Sequence, residues 1–356
     1  LIIFTKTTRK SVKLKLKTSL KLRFFILFGF LGVFSTVGAQ QFPVYSQYWT
    51  NKFLLNPAVA GHEGYTAFNL TARKQWAKFE GSPGVVAVSG QSRLVRSSHI
   101  SRGRNVKRRR RAMTRGGNVG VGGYVFSDRA GIFAKTGFQG TYAYHLTMQE
   151  SQLSFGVSLV GLQYHIDKGK INTEVEDDLI ENTAPNGYVI DGNFGAYYSN
   201  RFMYAGFSTM NLFESFFKLN NRDGSKTKLE RQYILLGGYR FDVIDFVFLE
   251  PSFNFKMSEN IVSQLDINLT SYFKEDYWAG LAYRTGSGSK IATETLGGRG
   301  SSIIIYGGAR VDKFYFGYSF DYSLSSIQRY SLGSHEIMVA VKIGDNARRY
   351  RWLNRY

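Results

Sequence analysis

Five histidines, at 62, 99, 145, 165 and 335, are the residues most able to bind a metal or move a proton, and none is spaced for it. No HExxH pattern sets two imidazoles one helical turn apart. His335 and Glu336 are neighbours in a segment that alternates like a strand, so their side chains leave opposite faces and cannot converge. The G-x-S-x-G elbow that presents a nucleophilic serine is absent. Ser325, Ser326 and Asp321, near the last hairpin, do not make a triad, which needs a base within hydrogen-bond reach of the nucleophile. With no cysteine, neither a disulfide framework nor a thiolate metal site can form. The expectation is no catalytic site, no metal and no cofactor.

The remaining chemistry is charge. The 356 residues carry a formal +20, but the excess is local. Eight basic residues and no acid fall within the first 39, and ten more lie in 93–115; without both groups the chain is at +2. Arg102, Arg104, Lys107, Arg108, Arg109, Arg110 and Arg111 form a cluster able to bind an anionic partner such as a phosphate-bearing lipid headgroup. It contains no aromatic residue on which bases stack, and a charge excess this local gives no support for nucleic acid as a partner. Its plain reading is a solvated loop, because blocks of like charge repel themselves out of compact structure.

The elements that would position these residues begin with an address. Residues 24–37, FFILFGFLGVFSTV, are an apolar run behind lysines, short of the roughly twenty residues a spanning helix needs. It ends in Val37-Gly38-Ala39, which reads as a signal peptide over 1–39, cut after Ala39. An exported chain without a helical anchor is soluble or a β-barrel. Aromatics at 16% and 38 glycines suit a barrel with interfacial aromatic girdles and close strand contacts.

Segments of about 9–11 alternating residues are the unit of such a barrel. They fall at 65–76, 84–95, 118–127, 133–147, 152–166, 189–199, 201–213, 229–241, 246–257, 261–273, 276–286, 301–311, 313–323 and 334–343. Leu153, Phe155, Val157 and Leu159 share one face against Ser154, Gly156 and Ser158. Leu265, Ile267 and Leu269 likewise oppose Gln264, Asp266, Asn268 and Thr270. The expected fold is all-β: a transmembrane antiparallel barrel of about 14 strands over 65–343. With the N-terminus periplasmic, the long polar connections 167–188, 214–228, 287–300 and 324–333 face outward and the short ones inward. Residues 40–64 do not alternate; Ser46–Leu55 reads as a short helix stopped before Pro57, with Gly61 and Gly64 permitting a reversal. This segment is expected to plug the lumen or pack at its rim. In-strand charges belong on the lumen side: Asp191, Glu250, Asp266, Asp321 and Glu336 with Arg73, Arg240, Lys256, Arg284 and Arg310. A basic tail over 344–356 follows the last strand.

Three motifs, correctly spaced, resemble the opening of the PorP/SprF family of outer-membrane proteins of type IX secretion in Bacteroidota. They are Tyr45-Ser46-Gln47-Tyr48, Asn56-Pro57-Ala58-Val59-Ala60-Gly61, and Arg73-Lys74-Gln75-Trp76-Ala77-Lys78-Phe79-Glu80-Gly81-Ser82-Pro83. Gly122–Gly131, Tyr142–Leu146 and Gly333–Ile337 continue the likeness in order. The resemblance implies a non-enzymatic outer-membrane barrel that supports export and surface anchoring of a cognate adhesin, in gliding bacteria, through the adhesin's C-terminal sorting domain. Its implied partners are that adhesin, other type IX components and outer-membrane lipid. The sequence departs from the family in its longer Arg-rich stretch at 98–115 and in its basic tail.

Two motifs then become partner candidates. Trp76, Phe79, Gly81 and Pro83 sit in the first outward loop, either as a docking lip with aromatic anchors or as a girdle tryptophan and a Gly-Pro turn. Asn56, Pro57 and Gly61 either touch a substrate in the lumen or fix a turn. A different class stays open: a FadL-like transporter of an apolar solute, plugged by the N-terminal segment, against which the in-strand charges argue.

Overall fold

The computed structural model describes residues 44–94, 118–148, 150–167, 169, 186–218, 226–244, 246–258, 263–274, 276–285 and 301–344. Its strands are β1 (Thr66–Lys74), β2 (Gly84–Leu94), β3 (Val119–Ala130), β4 (Phe133–Thr147), β5 (Ser151–Ile166), β6 (Asn186–Asn200), β7 (Met203–Met210), β8 (Phe216–Lys218), β9 (Lys226–Lys228), β10 (Gln232–Tyr239), β11 (Phe241–Ile244), β12 (Val247–Ser258), β13 (Gln264–Phe273), β14 (Tyr277–Thr285), β15 (Ser302–Val311), β16 (Phe314–Ser323) and β17 (Ser334–Ile343). Fourteen of them pair antiparallel, each with its neighbours, and β1 pairs with β17 (Thr66 opposite Ile343) to close the ring. Closure leaves no sheet edge, the condition for strands to cross a hydrocarbon layer. No helix among the described residues is long and apolar enough to cross a membrane.

The alternation seen in the sequence is the wall's two faces. On β5, Phe155, Val157 and Leu159 point outward while Ser154 and Ser158 are buried inside. β13 repeats this, with Ile267 and Leu269 outward and Asp266, Asn268 and Thr270 inward. Leu159 is 60% exposed and Leu281 58%. Such a ring of exposed apolar side chains is tolerable only where lipid replaces water.

Three expectations need correcting. The strand expected over 229–241 breaks at Arg240, whose amide donates to the Phe202 carbonyl at 2.7 Å, and resumes as β11, which meets β12 through a bulge. The loop expected at 214–228 carries the small hairpin β8–β9. Ser46–Leu55 is not a helix; only 3-10 turns form, at Lys52–Leu54 and Pro57–Val59. Its amides close i→i−3 bonds, Thr50 to Gln47, Asn51 to Tyr48 and Leu54 to Asn51, the spacing of tight turns and not of an α-helix.

Connections 148–150, 201–202, 245–246, 274–276 and 312–313 gather at one end, the short-turn end, together with the longer 95–118. The other end carries 75–83, 131–132, 167–185, 211–231, 259–263, 286–301 and 324–333. In outer-membrane barrels long loops face outside and short turns the periplasm.

Candidate functional site

Residues 45–64 run through the lumen. Tyr45, Ser46, Gln47, Tyr48, Phe53, Leu55, Asn56, Ala58 and Ala60 are all buried. The wall receives them with glycines on its inward phase. A β-carbon at Gly120 would overlap the Ala60 carbonyl, one at Gly156 the backbone of Pro57 and Ala58, one at Gly195 the Asn56 amide, and one at Gly317 the Gln47 side chain. Each glycine lies on a different strand, so the barrel is cut to this segment on several sides. Polar bonds add to the fit. Asn56 Nδ2 donates to the carbonyls of Ala196 (3.0 Å) and Phe207 (3.1 Å), while its Oδ1 accepts from the Ala58 amide at 2.9 Å. Ser208 Oγ donates to the Leu55 carbonyl at 2.6 Å. Asn56 and Pro57 thus set the start of the second 3-10 turn, and Gly61, at φ +67°, makes the left-handed reversal back toward β1.

Toward the long-loop end an ion network holds the start of this segment. Arg73 reaches Asp321 at 2.7 Å and Glu336 at 3.4 Å; Arg284 reaches Asp266 at 2.9 Å and Asp321 at 3.2 Å. Ser46 joins it through its hydroxyl, which donates to Asp321 at 2.6 Å, and through its amide, which donates to Glu336. Five of the ten charges expected in the lumen therefore meet in one buried cluster. Asp191 stands apart, accepting from the amides of Gly192, Phe213 and Ser215. Arg310 pairs with Asp276 at the short-turn end, and Glu250 and Arg240 line a cavity there.

The structure also brings together residues the sequence keeps apart. Ser154 Oγ lies 3.2 Å from His62 Nδ1 and 2.8 Å from His145 Nδ1, and His145 Nε2 donates to the Ala60 carbonyl. Arg93 donates to the His62 carbonyl and to Gln152. A serine between two imidazoles has the parts of a nucleophile, but His145 and Ser154 are wholly buried. These bonds tie the segment at Ala60 and His62 to β4 and β5. His335 instead accepts on Nδ1 or donates from it to the Tyr318 hydroxyl, away from buried Glu336.

At the short-turn end the lumen opens into a cavity continuous with solvent. Its walls include Trp49, Tyr204, Phe248, Tyr272, Trp278 and Tyr315, with Lys52, Glu63, Arg240, Glu250 and Lys342. The cations lie on ring faces: Lys52 is 3.8 Å from the centre of Tyr204, Arg240 3.6 Å from Phe248 and Lys342 4.4 Å from Tyr315. Burial lowers the Lys52 ammonium below the usual lysine range, with Glu250 acting against the shift.

At the long-loop end, residues 75–83 form a stitched lip. The Gln75 amide donates to Pro83, Ala77 to Gly333, Gly131 to Gly81 and Leu332 to Ala77, all at 2.8–2.9 Å. Trp76 is half-buried with φ +46°, Phe79 is exposed, Gly81 takes φ +69°, and Pro83 is half-buried. Phe79, Tyr330 and Leu332 leave apolar surface uncovered on this lip and its neighbouring loop. The structure thus separates the two candidate motifs, one inside the lumen and one on the rim. The cluster Arg102, Arg104, Lys107, Arg108, Arg109, Arg110 and Arg111 lies outside the described residues.

Fold and site together define an outer-membrane β-barrel whose lumen is occupied by its own N-terminal segment. A family model described as "Type IX secretion system membrane protein PorP/SprF" matches residues 37–341. The chain belongs to this family and is an outer-membrane barrel of type IX secretion. No curated protein matches the sequence. Among solved structures it is similar to the CymD monoaromatic hydrocarbon channel, with 11% identity and a TM-score of 0.44 over 87% of this chain and 97% of that one. It is also similar to the Ralstonia pickettii toluene transporter TbuX, with 10% identity and a TM-score of 0.43 over 82% and 92%. CdiB from Acinetobacter baumannii follows at 7% identity and a TM-score of 0.40 over 78% and 60%.

Proposed function

We propose that this chain is a non-enzymatic type IX component that supports export of a cognate adhesin and holds it at the surface through the adhesin's C-terminal sorting domain. The observation that carries this reading is the occupied lumen. Residues 45–64 are built into the wall by glycine fits and a buried ion network, which suits a barrel that holds a partner rather than one that passes it. The docking surface is the long-loop end: the lip with Trp76, Phe79, Gly81 and Pro83, and the loops 167–188, 214–228 and 287–300. Apolar patches rimmed by polar residues are the usual mark of such surfaces. Residues 1–39 act as the signal peptide, 40–64 as the plug and 65–343 as the barrel, with other type IX components and outer-membrane lipid as further contacts. In a gliding member of the Bacteroidota, loss of the barrel would then cost the adhesin its place on the surface.

Gentle detergent extraction of the tagged barrel from its native outer membrane, with identification of what co-purifies, tests this. A large secreted protein bearing a C-terminal sorting domain is the expected companion. If every surface adhesin stayed in place after deletion of the gene, the reading would fail for this chain.

One observation favours the second reading, a FadL-like transporter of an apolar solute: the aromatic cavity at the short-turn end. Five charged side chains on its wall weigh against an apolar cargo.

A further inference from the structure

The aromatic cavity at the short-turn end plays no part in holding an adhesin at the outer rim. We propose that it is the seat of the chain's own segment 345–356, DNARRYRWLNRY, with Trp352 as the inserted side chain.

Position is the first argument. Lys342 is on the cavity wall, β17 ends one residue later at Ile343, and the chain leaves the barrel there, at the cavity's end. Twelve further residues reach about 40 Å when extended, ample for a cavity that begins where they begin. A segment tethered this closely works at an effective concentration in the millimolar range, so modest contacts are enough to seat it.

Chemistry is the second. The indole N–H groups of Trp49 and Trp278, both on this wall, are buried without a hydrogen-bond partner. Both N–H groups are closed even to water, so it is the rings of this wall that meet an entering peptide. The segment sets arginines beside rings, Arg349-Tyr350-Arg351-Trp352 and then Arg355-Tyr356. The wall offers rings for stacking and the carboxylates of Glu63 and Glu250 for guanidinium groups. Its own cations are already placed: Lys342 lies 4.0 Å from Glu63, and Arg240 3.2 Å from Asp242. Asp242, outside the wall, offsets Arg240, which leaves Lys52 and Lys342 against Glu63 and Glu250 on the wall itself.

The absence of cysteine makes the test clean. Phe202 lines the cavity, whereas Tyr277, at the same end, is exposed on β14 with Trp278 next to it on the cavity side. In purified full-length barrel, the Trp352→Cys/Phe202→Cys variant is expected to oxidise to a disulfide about tenfold faster than Trp352→Cys/Tyr277→Cys, as seating rather than random collision requires. Equal rates would overturn the proposal.

A second measurement guards against misassembly. A fluorescein-labelled peptide of residues 345–356 is titrated against Trp352→Ala and against unaltered barrel, both checked for heat-modifiable migration. Binding to Trp352→Ala at least about tenfold tighter than to the unaltered barrel, whose cavity the tethered segment already fills, is the expected result. Equal binding to both, or binding to neither, would overturn it. Because both experiments use the barrel alone, a negative result leaves the adhesin reading standing, and a lost adhesin leaves the segment's seat standing.

Discussion

Ser46 and Glu336, 290 residues apart, meet inside the barrel, where the Ser46 amide donates to Glu336 Oε2 at 2.7 Å. The next amide, Gln47, donates to Oε1 at 2.8 Å, so one carboxylate grips two successive backbone groups of the N-terminal segment while facing Arg73. The 3-10 turns of the segment begin further on and leave these two donors without a backbone acceptor, and an unmet buried amide is costly. This pair is therefore the latch at the start of the plug.

Removing the latch should loosen the plug before it unfolds the barrel. Glu336→Ala strands two amides and takes one partner from Arg73, a loss of about 3 kcal/mol for a broken buried pair. Glu336→Gln keeps one acceptor and should cost less. In planar bilayers the unaltered protein is expected to be closed, and Glu336→Ala to show transient openings with a heat-modifiable band still present. Silent bilayers and an unchanged melting transition for Glu336→Ala would show that the plug is held elsewhere.

The inward glycines give a second, steric test. Gly156→Leu would drive a side chain into Pro57 and Ala58, whereas nothing lies within 4 Å of a β-carbon at Gly140 on the outer face. Overpacking of a filled space costs about 1–3 kcal/mol, and the side that gives way is the segment, since the wall strand is hydrogen-bonded on both edges. Protease cleavage within 45–64 should speed up several-fold in Gly156→Leu and stay unchanged in Gly140→Ala. Equal cleavage in the two would remove the idea that these glycines are sockets.

Much of the wall was legible in the sequence because its rule is local. Leu153, Phe155, Val157 and Leu159 on one phase, with serines on the other, already state which face meets lipid. All fourteen barrel strands follow from that period, with an error where the period lapses past Tyr239, as β10 ends and a bulge follows between Asp242 and Ile244. The plug was harder to read, since no periodicity describes 45–64 and its conformation comes from distant partners such as Glu336, Ala196 and Phe207. A usable signal did exist: Gly120, Gly156, Gly195 and Gly317 stand on the inward phase of their strands, where a packed lumen leaves room for nothing larger. The grouping of His62, His145 and Ser154 had no such signal, because register across strands and the plug's path together create it.

On the outer rim, the stitched lip should matter to the partner and not to the barrel. The side chains of Phe79 and Leu332 are exposed, and alanine keeps their backbone bonds, so alanine at both should leave the melting transition within about 0.5 kcal/mol, as for other surface changes. Adhesin retention on cells should fall several-fold if the lip is the anchor. Gly81→Val separates support from contact: it forces a β-branched residue to φ +69°, at about 1–2 kcal/mol, and should misplace the lip without removing its rings. Full retention in both variants would move the docking surface to the longer loops.

The Asn56–Gly61 motif can be decided between substrate contact and structure by comparing two neighbouring substitutions. Asn56 is fully buried and makes three hydrogen bonds, to Ala196, Phe207 and Ala58. Asn56→Ala loses all three and leaves two wall carbonyls with one donor fewer, about 3 kcal/mol at roughly 1 kcal/mol per bond. Pro57 contributes mainly by fixing φ at the first position of its turn, so Pro57→Ala should cost only about 0.5–1 kcal/mol. If the motif is structural, protease sensitivity of 45–64 follows that order and secretion falls only as the plug loosens. If instead Asn56→Ala abolished adhesin export with the plug as resistant as before, the side chain would have to be meeting the substrate. That outcome would require the buried Asn56 to become exposed during transport, and with it the displacement of its segment from the wall.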